Sequence, residues 1–144
     1  MLPPAYLLLA LVAMAVLHLA LPWRRVVAFP WRLAGVLPLL LGLGLNVAAD
    51  ARLKRYRTTV KPFEKPAVLV TTGVYRMTRN PMYLGFILVL LGLALLMGSL
   101  SAFFVIPPFA VLMEVVFIRK EERMMETAWG REWLVYQAQV RRWV

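Results

Sequence analysis

Thr71-Thr72-Gly73-Val74-Tyr75-Arg76-Met77-Thr78-Arg79-Asn80-Pro81-Met82-Tyr83-Leu84-Gly85 sets two arginines, two tyrosines and an Asn-Pro step directly ahead of a long apolar run. Asn is a favoured helix N-cap and Pro a favoured first helical residue, so Asn80 and Pro81 start a helix. The run from about residue 82 is apolar enough to enter a bilayer. The polar cluster therefore sits at a membrane surface, at the positive end of a helix. That place suits an anionic or zwitterionic ligand group. The same residues also read as a plain helix cap with juxtamembrane arginines.

Outward from this stretch the chain shows four apolar segments, at about residues 5–21, 33–49, 82–97 and 102–118. Each is near the lower limit for spanning hydrocarbon. Gly98-Ser99-Leu100-Ser101 carries no charge and predicts a tight hairpin between the third and fourth segments, with Ser99 or Ser101 as the cap. Pro107-Pro108 predicts a kink near mid-membrane in the fourth, and Pro38 a gentler bend in the second. Gly42-Leu43-Gly44 follows no strand and lacks a third glycine, so it reads as a helix-packing surface and not a dinucleotide loop. Gly85 and Gly92 give the third segment a similar small face.

Composition agrees. Hydrophobic residues make up 62% of the 144 residues and mean hydropathy is +0.72, far above a soluble domain. Cysteine is absent and His18 is the only histidine, which excludes a thiolate metal site, a multi-histidine zinc site and a His-based triad. The net charge of +10 is read as topology signal and headgroup contact, not nucleic-acid binding. Residues 50–80 and 119–144 hold fourteen basic residues, Lys61 and Lys65 among them. The first loop holds only Arg24, Arg25 and Arg32. The positive-inside rule then places both termini in the cytoplasm, at a bacterial inner membrane. Met1-Leu2-Pro3-Pro4 has no positive n-region, so the first segment is expected to be a retained span and not a signal peptide. The expected fold is all-α and integral to the membrane, one domain over 1–144. It has about four transmembrane helices, a helical hairpin of spans three and four, and a cytoplasmic C-terminal helical segment.

A second constellation follows the fourth segment. Glu114, Glu121 and Glu122 fall on neighbouring helix faces at spacings of seven and eight. An acid at Glu114, in the last apolar turns, usually faces a cavity or a basic partner. Two readings stay open for the pair. It forms intrahelical ion pairs such as Arg119 with Glu122 or Glu126, or it accepts from the hydroxyls or ammonium of a ligand. Trp129-Gly130 breaks the helix. Trp133, Tyr136 and Trp143 among arginines suit an interfacial anchor, while Arg141 and Arg142 could close over a ligand.

Together these pieces resemble the isoprenylcysteine carboxyl methyltransferase and phospholipid methyltransferase superfamily. The resemblance covers roughly residues 61–144. It rests on Gly73-Val74-Tyr75, Arg79-Asn80-Pro81-Met82-Tyr83-Leu84-Gly85, Glu121-Glu122, Trp129-Gly130 with Tyr136, and Val140-Arg141-Arg142-Trp143. It implies an enzyme that uses S-adenosylmethionine to methylate a lipophilic or membrane-associated acceptor, a carboxylate, amine or thiol. The cofactor site lies in segments 71–85 and 119–144. The resemblance assigns Tyr75, Arg79, Asn80, Pro81, Tyr83, Gly85, Glu121 and Glu122 to cofactor binding, with Arg79, Asn80 and Glu121 as the catalytic candidates. Glu114, Tyr136 and Arg141 are candidates for the acceptor. Eukaryotic relatives often carry His at the position of Asn80, so the role expected of Asn80 is capping and cofactor bonding, not proton transfer. Two other readings remain: an NADPH-dependent membrane reductase similar to sterol reductases, and a non-enzymatic small membrane protein.

Overall fold

The computed structural model describes residues 2–21, 24–58 and 67–144, so Lys61 and Lys65 lie outside the described residues. Each apolar segment becomes a helix. Prolines at its start and an uninterrupted apolar run give α1, Pro3–Ala20. A 3₁₀ turn, Trp31–Gly35, runs into α2, Val36–Arg55. Helix α3 is Pro81–Met97. The fourth apolar segment is subdivided into α4 (Leu100–Phe103), α5 (Ile106–Met113), a π-helical turn (Glu114–Ile118) and α6 (Arg119–Trp129). Helix α7, Arg131–Gln139, completes the chain. Three stretches, Pro3–Ala20, Trp31–Arg55 and Leu100–Trp129, are long and apolar enough to cross a membrane. Helix α3, with 17 residues, is shorter, at about 26 Å of rise. Among the described residues there is no strand, only an isolated bridge between Arg25 and Ser99. The protein is an all-helical integral membrane protein.

Helix α3 is central. Its Phe86, Leu90 and Ala94 bury against Met14 of α1, Ala102 of α4 and Phe109 and Met113 of α5. Its other side meets α2 through glycines. A Cβ on Gly42 would lie 2.5 Å from the Gly85 carbonyl oxygen, and one on Gly92 would lie 2.7 Å from that of Gly35. No side chain fits at either crossing. Gly44 has open space around it, so of the Gly42-Leu43-Gly44 pair only Gly42 belongs to the packing surface.

The double proline breaks the fourth segment as expected, but nearer its start than its middle. The break in the fourth segment falls at Phe104 and Val105, between α4 and α5, and Pro107 and Pro108 stand in the first turn of α5. Pro38 likewise lies in the first turn of α2. Proline lacks an N–H that the first turn does not need, so these residues begin helices, and the missing bonds back to residues 103 and 104 coincide with the break between α4 and α5. The π turn supplies the second irregularity, which hydropathy does not reveal.

At the far end of α3 from Pro81, Gly98 takes a left-handed conformation (φ 71°) and turns the chain into α4. Ser99 occupies the N-cap position without making the expected side-chain cap. Its hydroxyl instead meets His18 Nδ1 at 2.7 Å and accepts from Ser101. The first loop docks here: Val26 N–H donates to the Gly98 carbonyl at 2.9 Å, and the Arg32 guanidinium donates to the Met97 carbonyl. A cation on the last carbonyls complements the helix dipole. Replacing Arg32 by Ala should cost about 1.5–3 kcal/mol of stability, the worth of a hydrogen bond to a charged group. Thermal unfolding in detergent reads this. Ligand affinity at the opposite end of α3 should be unchanged, and a matching loss of both would show that the two ends are coupled.

Candidate active site

The start of α3 is held by the C-terminal segment. Asn80 stands at the N-cap and Pro81 at the first helical position. The Asn80 side chain, however, makes no cap. Its Nδ2 donates to the Arg142 carbonyl at 3.0 Å, and Thr78 Oγ1 donates to the same oxygen at 3.1 Å. Thr78 Oγ1 also accepts the Asn80 N–H at 3.1 Å, and the Arg79 N–H donates to the Arg141 carbonyl at 3.0 Å. Residues 78–80 and 141–142 are thereby clipped together through backbone groups, and the amide that was expected to cap the helix is engaged in that clip.

Charged groups converge behind the clip. The Arg79 side chain is only 8% exposed, with its guanidinium carbon 5.8 Å from the centre of the Trp133 ring. Its Nη1 lies 3.3 Å from Glu122 Oε1. Arg142 grips the same carboxylate on both oxygens, Nη2 to Oε2 at 2.6 Å and Nε to Oε1 at 3.2 Å. Arg142 Nη1 reaches Glu114 Oε1 at 3.1 Å, and Arg119 Nη2 reaches it at 3.0 Å. A chain of charge thus runs Arg79, Glu122, Arg142, Glu114, Arg119. The hydrogen bonds to Glu122, chiefly, hold the Arg142 guanidinium above its ordinary pKa. The intrahelical pairing of Arg119 with Glu122 or Glu126 does not form. The π turn puts residue 119 one wide turn past residue 114, and Arg119 takes Glu114 instead.

Phenols complete the site. Tyr83 OH donates to Glu121 Oε1 at 2.8 Å, and Tyr136 OH to the Tyr75 carbonyl at 2.6 Å. Burial pushes Tyr136 up to about 12, with Arg79 pulling the other way. Tyr75 is raised by burial first, then by Tyr136, Glu121 and Asp50. Both phenols therefore stay neutral at working pH, and Tyr136 acts as a hydrogen-bond donor. Beside Tyr136, a cavity of about 630 Å³ is lined by Leu69, Thr71, Arg131, Glu132, Val135 and Gln139.

The structure brings together Tyr75, Arg79, Asn80, Tyr83, Glu114, Glu121, Glu122 and Tyr136. Pro81 is buried as the first residue of α3. Gly85 lies one turn further on, against α2, where a Cβ would come 2.1 Å from Asn46 Nδ2. Of the two neighbouring arginines, Arg142 turns its side chain inward, while the Arg141 side chain is exposed and contributes its carbonyl. Trp133 and Tyr136 are not an interfacial anchor. They are buried with Val140 in a small core that includes Leu69, Met125 and Trp129. Part of their signal was present: Trp133 and Tyr136 stand three apart on α7, on one face of that helix. Thr78, and the pairing of Trp133 with Arg79, had no such signal.

The phospholipid methyltransferase family matches residues 31–132, from α2 to the start of α7. The chain belongs to the phospholipid methyltransferase family. The match takes in Tyr75, the 79–85 segment, Glu114, Glu121 and Glu122. Among solved structures, this family member is similar to the eukaryotic intramembrane Ras methyltransferase ICMT (isoprenylcysteine carboxyl methyltransferase), solved without a monobody. The TM-score is 0.69 at 22% identity, over 98% of this chain and 51% of that one. That likeness shows a shared fold, and the chain spans about half the length of the larger protein. No curated protein sequence matches the chain.

Whether the site suits S-adenosylmethionine can be judged from its donors. Among the described residues, Arg79 Nε and Nη1 are buried without a hydrogen-bond acceptor, and the same holds for Trp129 Nε1. A buried donor left unpaired is costly, so the Arg79 guanidinium has donors to offer an acceptor from a ligand. A carboxylate, such as that of the cofactor's methionine part, is such an acceptor.

Proposed function

We propose that this protein is an integral-membrane methyltransferase that uses S-adenosylmethionine and acts on a lipophilic or membrane-associated acceptor. The observation that carries the reading is the buried, incompletely paired guanidinium of Arg79 beside Glu121, Glu122 and two neutral phenols. When bound, S-adenosylmethionine supplies an electrophilic methyl group on a sulfonium. Arg79 would hold the cofactor's carboxylate. Glu121, oriented by the Tyr83 hydroxyl, would accept from its ammonium or ribose hydroxyls. Tyr75 would donate from its hydroxyl, held in place by the Tyr136 hydroxyl on its backbone carbonyl, and Asn80 would keep the C-terminal segment over the site without taking a proton. Positioning of this kind is what an in-line transfer between two bound reactants chiefly requires.

The acceptor is a carboxylate, amine or thiol presented from the bilayer, with Glu114 and Tyr136 nearest to receive it. The site faces the cytoplasm of a bacterial inner membrane in this reading. The fourteen basic residues on that side support it, and so does the capping role of Arg32, which accounts for one of the three on the other.

Thermal unfolding of detergent-purified protein tests the proposal. S-adenosylhomocysteine at about a hundred times its Kd should stabilise the fold by about 2.7 kcal/mol, and NADPH should not. Labelled methyl from S-adenosylmethionine should then appear in a lipid extract. Stabilisation by NADPH alone would point to a reductase, and stabilisation by neither would point to a non-enzymatic membrane protein.

A further inference from the structure

Glu122 has two arginines within reach and bonds properly to one. Arg142 holds both of its oxygens, at 2.6 and 3.2 Å. Arg79 Nη1 is 3.3 Å from Oε1 yet lacks the geometry of a hydrogen bond, and its Nε is left without an acceptor as well. The burial of the pair makes this notable. Arg79 and Glu122 side chains are 8% and 10% exposed, where leaving donors of a charged pair unmatched is costly.

Resting on the reading of Arg79 as an anion site, we propose that Arg142 is a positioning residue that draws the Glu122 carboxylate off Arg79. It thereby keeps Arg79 open for a ligand's carboxylate. Without Arg142, a small tilt of Glu122 pairs it with Arg79, and the site quenches itself. The second hand of Arg142, on Glu114 at 3.1 Å, anchors the guanidinium from the opposite side, so that it pulls Glu122 away from Arg79. Glu114 keeps Arg119 at 3.0 Å when Arg142 is removed, and the backbone clip at the Arg142 carbonyl does not depend on its side chain. The fold therefore has no need of the Arg142 guanidinium at these points.

The test is a double-mutant comparison by calorimetry on the full chain in detergent, with S-adenosylhomocysteine and its decarboxylated analogue as probes. Arg142→Ala should weaken S-adenosylhomocysteine about tenfold or more, the worth of a charge-assisted hydrogen bond. It should leave the decarboxylated analogue nearly unchanged. Adding Glu122→Gln to Arg142→Ala should bring binding up to that of Glu122→Gln alone, because the competitor for Arg79 is then neutral and any direct part of Glu122 in binding is carried by the single variant. Arg142→Lys should fall between wild type and Arg142→Ala, since a point charge cannot hold both oxygens. A double variant that binds no better than Arg142→Ala would overturn the inference and leave Arg142 a merely structural residue. Equal losses for both probes would do the same. Absence of S-adenosylhomocysteine binding by the wild type would instead overturn the reading of the site itself, and the inference with it.

Discussion

Arg79→Ala should lower S-adenosylhomocysteine affinity by about ten- to a hundredfold and reduce methyl transfer at least as much. The estimate follows from one charge-assisted hydrogen bond, about 1.5–3 kcal/mol, lost in a buried place. Arg79 is 8% exposed and stacked over Trp133, so water replaces its donors poorly. The fold should survive, because Glu122 keeps both contacts to Arg142 and the Arg79 backbone N–H still reaches the Arg141 carbonyl. Arg79→Lys should retain partial binding, with the charge kept but the planar fork lost. Calorimetry and single-turnover transfer separate the two quantities. Wild-type affinity in Arg79→Ala would show that the residue is a juxtamembrane topology signal and no more.

The second large effect is on the helix bundle. Gly92→Leu should destabilise the protein by roughly 3 kcal/mol or more, the upper end for overpacking, because the clash is with backbone. The added Cβ alone would stand 2.6 Å from the Leu39 nitrogen and 2.7 Å from the Gly35 carbonyl oxygen. Neither can move without separating α2 from α3. In a bilayer, helices associate through such close backbone approach and not through a hydrophobic drive. Gly44→Leu is the matched control. Its surroundings are open within 4 Å, so its melting temperature should stay near that of the wild type. Equal melting temperatures for the two variants would mean that the α2–α3 crossing is not close-packed in the membrane.

Much of this was legible in one dimension, and the parts that were not share a cause. The four apolar runs, the Asn80-Pro81 helix start and the Gly130 break are local properties, set by hydropathy and by residues that begin or end helices. The same local logic misplaced the prolines. Pro107 and Pro108 cannot donate back to residues 103 and 104, so the break falls at Phe104 and Val105, nearer the start of the segment than its middle. Trp133 and Tyr136 have the composition of an interfacial anchor and the spacing of a core face. Their burial against Leu69, remote in sequence, decides for the core.

The sequence by itself determined that this chain is helical, lies in a membrane, and gathers polar residues in two clusters flanking apolar helices. Apolar run length and helix punctuation need no knowledge of what touches what. Only the tertiary structure decided which charges pair. Arg142 reaches Glu122 from 20 residues away and Glu114 from 28, after the chain has reversed at Gly130. The π turn moves Glu114 out of the register that α-helical spacing assumes and gives it to Arg119 and Arg142. Coulomb attraction depends on distance in space, and the distances that leave Arg79 partly unpaired exist only once those segments have folded together.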